Sequence, residues 1–321
     1  MTASPATFRA PGSPSRTVPY LRAVVTTRCN LACTYCHAEG DPALGGMSGD
    51  LKTAELIEIM LAGLRNGVRK AKLLGGEPLV RKDLPEVIAA IRAADGSVDI
   101  SLITAGAVGV GALDAAFAAG LNRANLSIHG WTPDAFAART LRQGGHAFRA
   151  KTLDYLLARG RFLKLNYVWR GQQDDDDLAL LLSFAAGKPV VVGLLDELSL
   201  NLGPKPLMAA VARLRGPWAE AAPDPDPHSL PTVILRWHDG LAVEIKTSRL
   251  GDVAPWAACG SCPKRSRCGE GVHALRLTHD GLLRPCMDRP ELGVDLRAAL
   301  NLGGAGGVDR AWSAILARSC A

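Results

Sequence analysis

The chain has 321 residues, a formal net charge of +6 and a pI near 9.0, which leaves room for one large α/β domain and a smaller one. The mild positive charge favours an anionic substrate. No Lys/Arg block interleaves with aromatics, which argues against nucleic acid, and no run of about 18 apolar residues suggests a membrane span. Eight cysteines, seven of them in two clusters, read as metal ligands in a reducing compartment rather than as disulfides.

The first 17 residues are rich in Pro, Ser and Thr and carry no apolar core. A disordered tail is expected there rather than a secretory signal, and the protein is read as cytoplasmic. From residue 18 to about 200, short β-branched runs alternate with Ala/Leu-rich helical patterns. Strands are predicted at Leu21–Thr26, Ala71–Leu74, Val98–Ile103, Asn122–Ile128, Phe162–Val168 and Val190–Leu195, and helices near 52–66, 84–94, 112–119, 147–159 and 176–186. Six strands alternating with helices predict parallel βαβ units, in a partial barrel or a doubly wound sheet. In either form the strand C-termini carry the chemistry. The acidic run Asp174–Asp177 reads as favourable charge at a helix start. Residues 217–231, with Pro-Asp-Pro-Asp-Pro, read as a linker. Beyond it, Thr232–Trp237 and Leu241–Thr247 form an expected hairpin around His238-Asp239-Gly240. Gly303-Gly304-Ala305-Gly306-Gly307 reads as a flexible connector, because no Lys-Ser/Thr follows to make a phosphate loop.

Two motifs carry chemistry. Cys29, Cys33 and Cys36 have the spacing C-x3-C-x2-C directly after the apolar run that starts at Leu21. Thiolates are the usual ligands of iron–sulfur clusters. Three on one loop can hold three irons of a [4Fe–4S] cube and leave the fourth open to a cofactor. Spacing alone leaves a zinc site or three unrelated thiols open. Gly75-Gly76-Glu77-Pro78 follows the apolar stretch ending at Leu74, as a strand-end loop would. The two motifs together resemble the radical SAM superfamily, in which this loop receives the amino group of S-adenosylmethionine (SAM).

A second cysteine set is Cys259-x2-Cys262-x5-Cys268, followed by Cys286. Asp280-Gly281 is expected to turn a hairpin that returns Cys286 towards the first three. By itself the set suits four-cysteine zinc equally well. Downstream of a radical SAM core it reads as an auxiliary [4Fe–4S] cluster. Cys320 is a bystander or a substitute for one of the four.

Within the superfamily the chain resembles the GTP 3',8-cyclases of molybdenum-cofactor biosynthesis, over residues 18–200 and 255–290. The resemblance rests on Tyr20-Leu21-Arg22, on Thr27-Arg28-Cys29-Asn30 and on Gly75-Gly76-Glu77-Pro78-Leu79-Val80-Arg81-Lys82-Asp83-Leu84. It rests also on Arg276-Leu277-Thr278 through Arg284-Pro285-Cys286. It implies a partial (β/α)6 TIM barrel over 18–216, a linker at 217–231, and a SPASM/twitch-like auxiliary-cluster domain with a C-terminal helix over 232–321. Two [4Fe–4S] clusters, SAM, and an electron donor such as flavodoxin or ferredoxin are implied with it. The implied chemistry is reductive cleavage of SAM to a 5'-deoxyadenosyl radical that takes a hydrogen from the substrate.

Carried over by position, Tyr35, Gly75, Gly76 and Ser127 line the SAM site, with Glu77 near the SAM amine. Arg22, Lys72, Thr104, Lys164 and Arg276 fall where the family contacts its nucleotide triphosphate. The chain departs from the family at Cys268, a fourth auxiliary cysteine, and at Ala274, where an Arg is usual. Thr104-Ala105-Gly106 replaces Thr-Asn-Gly, and the chain ends Arg318-Ser319-Cys320-Ala321 without a Gly-Gly tail. These departures favour another phosphorylated nucleotide or sugar-like substrate. GTP cyclisation and modification of a ribosomal peptide are the enzymatic alternatives. The residues before Leu21 are too few for a leader-binding domain of about 80 residues. A cluster-bearing scaffold or sensor is the non-enzymatic alternative, and the Gly-Gly-Glu-Pro loop argues against it.

Overall fold

Alternation along the first strand sets the architecture. Leu21 and Ala23 of β1 (Tyr20–Val24) are buried in the main apolar core, whereas Arg22 lies on the opposite face and is half-buried. Successive side chains of a strand point to opposite faces, so each strand has an apolar side towards helices and a polar side away from them. The same division holds along β2 (Lys70–Leu74), β3 (Asp99–Thr104), β4 (Arg123–Ile128) and β5 (Leu163–Trp169), while β6 (Val190–Asp196) sets Val191, Gly193 and Leu195 opposite its core face. These six strands pair in chain order and in parallel. Five of the intervening helices match expectation: α1 (Thr53–Arg65), α2 (Leu84–Ala94), α3 (Val110–Ala118), α5 (Gly145–Ala158) and α6 (Asp175–Ala185). The fold is a partial (β/α)6 barrel with its polar lumen opposite the helices.

The structure is a computed structural model that describes residues 19–37, 49–160, 163–197, 199–200, 202–225, 231–246, 259–263, 265, 268 and 273–318. The expected tail, residues 1–17, and Cys320 lie outside the described residues.

Several elements differ from the sequence expectation. α4 (Pro133–Thr140) and α7 (Pro204–Arg215) were not foreseen. Residues 220–223, placed in a linker, form β7 (Glu220–Pro223), which pairs antiparallel with β8 (Thr232–Arg236). β8 turns through Asp239 and Gly240 into β9 (Ala242–Lys246), and Gly240 takes the left-handed conformation at φ +83°. β9 then adds to β6 in parallel. At the other edge, β10 (Leu275–Leu277) adds to β1 in parallel and continues antiparallel into β11 (Leu282–Arg284) and β12 (Val294–Asp295). One twelve-stranded sheet therefore runs across the expected domain boundary.

The glycine run expected to be a loose connector lies inside α8 (Leu296–Ala317) as a kink at Gly303 and Gly304. A Cβ at Gly307 would collide with the Ala299 carbonyl, so glycine lets the two halves of α8 close on each other. Trp312 of α8 is fully buried and packs on Gly63 of α1.

Candidate active site at the strand ends

The cysteine loop is fixed from three sides. From below, Asp50 accepts hydrogen bonds from the Thr26 hydroxyl (2.6 Å) and the Thr27 amide (3.0 Å). From the β2 side, Gly76 N–H donates to the Thr26 carbonyl and Glu77 N–H to the Arg28 carbonyl, each at 2.9 Å. A side chain at Gly75 or Gly76 would strike the Thr26 or Arg28 carbonyl, so only glycine permits this backbone contact. From the α4 side, the carbonyls of Thr140 and Arg139 accept from the amides of Ala32 and Thr34, each at 3.0 Å. These are unpaired carbonyls of a helix end, satisfied here by the loop.

Within that frame Cys29 and Cys36 are exposed and Cys33 is half-buried. Leu31 N–H donates to Cys29 Sγ at 3.4 Å. Burial, and then the neighbouring Cys36 and Cys29 sulfurs, push the Cys33 thiol up to about 12. Sulfurs that hinder the ionisation of Cys33 in this way favour a bound cation. Among the described residues no three such side chains already converge on one point. A cube gives each thiolate a different iron, so its ligands need not do so. The donor set and its exposed mouth fit a [4Fe–4S] cluster with one iron left open.

The residues expected around SAM are brought to this mouth, with one revision. Ser127 lies on the lumen face of β4, paired with Asn166. The Tyr35 hydroxyl is 2.7 Å from His129 Nδ1, and the same nitrogen is 3.7 Å from Cys33 Sγ. Burial, with Arg139 and Arg149 nearby, lowers His129 to about 4, so its ring is neutral. Glu77 is buried, and its carboxylate accepts from Thr104 Oγ1 (2.8 Å), Ala105 N (2.8 Å) and Leu79 N (3.1 Å). Burial raises its carboxyl above the ordinary range, against those three donors. The Glu77 side chain thus ties the glycine loop to the end of β3.

Four of the five expected substrate residues share one face. In-register pairing sets Arg276 beside Arg22 and Arg22 beside Lys72, and Lys164 beside Asn125 on the same lumen face. Thr104 is the exception. It lies on the helix-facing side of β3, where its hydroxyl donates to Glu77 and accepts from Gly106 N. Burial, and the Arg22 and Lys164 charges, depress the Lys72 ammonium. Burial alone would raise the Tyr20 phenol, but the Lys72 and Arg22 charges, a hydrogen bond from Lys72 and the Lys70 charge bring it down to about 8. Lys164 is ion-paired with Glu244 of β9.

The second cysteine set follows successive turns: Cys262 N–H donates to the Cys259 carbonyl, Arg265 N–H to Cys262, and Cys268 N–H to Arg265. The expected hairpin is present, with Gly281 at φ +103° and Cys286 just beyond β11. Arg289 lies close enough to Cys262 for the two to interact electrostatically, which brings the two segments together. Burial raises the Cys286 thiol while Arg276 lowers it, so the cation cluster reaches the cysteine set.

Sequence reading missed Asp50, His129, Arg139 and Glu244. Asp50 follows a Gly-rich stretch without a motif, and Arg139 lies on an unforeseen helix. The side chains of the acidic run serve neighbours: Asp174 binds Arg170, Asp175 binds the Trp169 indole, and Asp177 accepts from the Trp131 and Thr132 amides.

A thiol loop and a glycine loop at the mouth of a partial barrel define an iron–sulfur enzyme that binds SAM. Residues 23–185 match the model of the radical SAM superfamily, and the chain belongs to it. It is similar to the GTP 3',8-cyclase of Alkaliphilus oremlandii, 29% identical over 286 residues, 85% of this chain and 82% of that one. To the GTP 3',8-cyclase of Pelotomaculum thermopropionicum it is 31% identical over 293 residues, covering 90% and 86%. Among solved structures, Streptococcus suis SuiB bound to precursor peptide SuiA aligns with a TM-score of 0.56 at 13% identity. That alignment covers 86% of this chain and 60% of SuiB, a likeness of fold alone. Among the described residues no helix is long and apolar enough to cross a membrane.

Proposed function

We propose that the protein acts on a purine nucleoside triphosphate, and that the GTP 3',8-cyclase reaction is its activity. The observation that carries this is the set of cations Arg22, Lys72, Lys164 and Arg276 on one lumen face. Four cations gathered on one partly buried face, of which Lys164 also meets Glu244, favour an anionic ligand, and phosphate suits them through charge-assisted hydrogen bonds. Similarity to the cyclases over most of the chain moves the reading from an unspecified phosphorylated molecule towards GTP. A cation-lined lumen does not favour a neutral peptide.

In this reading Cys29, Cys33 and Cys36 hold the SAM cluster, and Tyr35, Gly75, Gly76 and Ser127 surround SAM. Cys259, Cys262, Cys268 and Cys286 hold a second cluster within residues 232–321, and a flavodoxin- or ferredoxin-type donor provides the electron. The bound cluster and SAM would supply a 5'-deoxyadenosyl radical. The chain's own part is to anchor the phosphates, orient the sugar and exclude water.

The test is an anaerobic incubation of reconstituted protein with SAM, dithionite and each of GTP, ATP and UTP, followed by mass spectrometry. A cyclised GTP product with 5'-deoxyadenosine is expected, and neither should form with Cys29, Cys33 and Cys36 replaced by Ala. Unchanged GTP beside a modified ATP or UTP would sink the GTP assignment and keep the triphosphate site.

A further inference from the structure

Arg139 is a buried cation beneath the cysteine loop. It is the penultimate residue of α4 and 2% exposed. Its Nη2 donates to the Val168 carbonyl and to Asp174 Oδ2 at 3.3 Å. Among the described residues, its buried Nε and Nη1 have no hydrogen-bond partner. The guanidinium lies between two aromatic faces, 5.4 Å from the Tyr35 ring centre and 4.7 Å from that of Tyr167. Tyr35 belongs to the cysteine loop, and the Arg139 carbonyl itself holds that loop through Thr34 N–H.

The nearest carboxylate neutralises this cation only in part. Asp174 accepts the Arg170 amide at 2.8 Å, Arg170 Nε at 3.1 Å and Arg170 Nη2 at 2.9 Å, all shorter than its contact with Arg139. One carboxylate thus faces two guanidiniums. Buried polar nitrogens are rarely left unpaired in folded proteins, and a retained charge of this kind calls for a partner reached through space. Tyr35, against which the guanidinium packs, lies in the chain between Cys33 and Cys36, and its hydroxyl shares His129 Nδ1 with Cys33 Sγ, so the cation sits directly behind the thiol loop.

We infer that Arg139 is the fixed counter-charge of the SAM cluster, a positioning residue that stabilises the thiolate-bearing loop and raises the cluster's reduction potential. Three thiolates around a cube give an anionic assembly, and adding an electron makes it more so. A fixed cation behind the loop in a poorly screened interior favours the added electron, and charge beside a cluster is one of the terms that set its potential. The aromatic rings of Tyr35 and Tyr167 hold the guanidinium in place through their faces and leave its charge unquenched.

The test is an electron paramagnetic resonance redox titration of the full-length reconstituted protein, following the reduced-cluster signal that changes when SAM is added. Arg139→Met removes the charge and keeps much of the length; Arg139→Lys keeps the charge. The Met variant should titrate at a more negative potential than wild type at equal iron and sulfide content. The Lys variant should stay close to wild type. Asp174→Asn removes the partial neutraliser and should shift the same signal to a more positive potential. Opposite shifts in Arg139→Met and Asp174→Asn are not produced by a merely structural role. An unchanged potential in an intact Met variant overturns the inference. If the Met variant does not take up the cluster, the Asn variant decides, and an unchanged or more negative potential there overturns it equally.

Discussion

Lys164 and Glu244 meet across Gly193: the lysine of β5 reaches past β6 to the carboxylate of β9, and the two form an ion pair. A Cβ at position 193 would be 2.6 Å from Lys164 Cε and 2.7 Å from Asn166 Oδ1, so the glycine is the gap that admits the pair. Both side chains are less than one-fifth exposed, at 19% and 14%. In the proposed function Glu244 would therefore compete with the triphosphate for Lys164.

Glu244→Gln should release Lys164 and strengthen binding of a nucleoside triphosphate by roughly fivefold, about 1 kcal/mol. Lys164→Ala should weaken it, and adding the Glu244 change to that variant should then have little further effect. Isothermal titration of the four proteins checks this. Weaker triphosphate binding by Glu244→Gln alone would show that the carboxylate contacts substrate instead.

Tyr20 should titrate with an apparent value of about 8. Its folded-state value is lowered from 10.0, so the associated stability is present above the unfolded value and is lost as pH falls through about 8. Resistance to urea is expected to rise across that window in wild type relative to Tyr20→Phe. A bound triphosphate sets further negative charge near the phenol and should raise its value. Ultraviolet difference absorbance with and without nucleotide reads this directly. A Tyr20 transition that ignores the nucleotide would place the phosphates elsewhere.

Glu77→Gln tests the tie between the glycine loop and β3. The carboxylate accepts two backbone amides and one hydroxyl. An amide side chain turns one of its own N–H groups against a donor, a loss of about 1–3 kcal/mol in stability. SAM affinity should fall with it, because the backbone contact of Gly76 to Thr26 is then less well held. Wild-type urea resistance together with wild-type SAM affinity would show that this network does not position the loop.

Metal analysis bears on the second cysteine set. Anaerobic reconstitution should give about eight iron and eight sulfide per chain, as two thiolate-held cubes require. Four iron with one zinc would instead support a structural zinc site. Cys268→Ala should open one position, and a spectrum that newly responds to nucleotide would mean that Cys268 normally closes it.

The strand ends were the most legible part of the chain. Leu21 and Ala23, or Leu73 beside Gly75-Gly76, announce a buried strand followed by a loop that must come close to backbone. Arg22, Lys72, Lys164 and Arg276 were grouped by the family resemblance, and alternation along their strands is what gives them the shared lumen face. Thr104 failed that rule by one residue of phase. Glu244 and Arg139 were not legible because pairing partners decide their roles. Nothing in the hairpin from Thr232 to Lys246 says that its second strand runs parallel to β6. α4 is short, and its buried face includes Arg139 and Thr140, so apolar periodicity did not mark it.

The late strands at both sheet edges have a consequence for exchanging parts between enzymes. β9 adds to β6 and β10 to β1, the latter joining positions roughly 250 residues apart in the chain. The C-terminal segment is thus no cassette. A transplanted one would have to match the register Val192↔Val243 at one edge and Leu21↔Leu275 at the other. A mismatch would leave an unpaired strand edge, a template for aggregation. It would also misplace Glu244 or Arg276, which the register at these two rims sets on the lumen face.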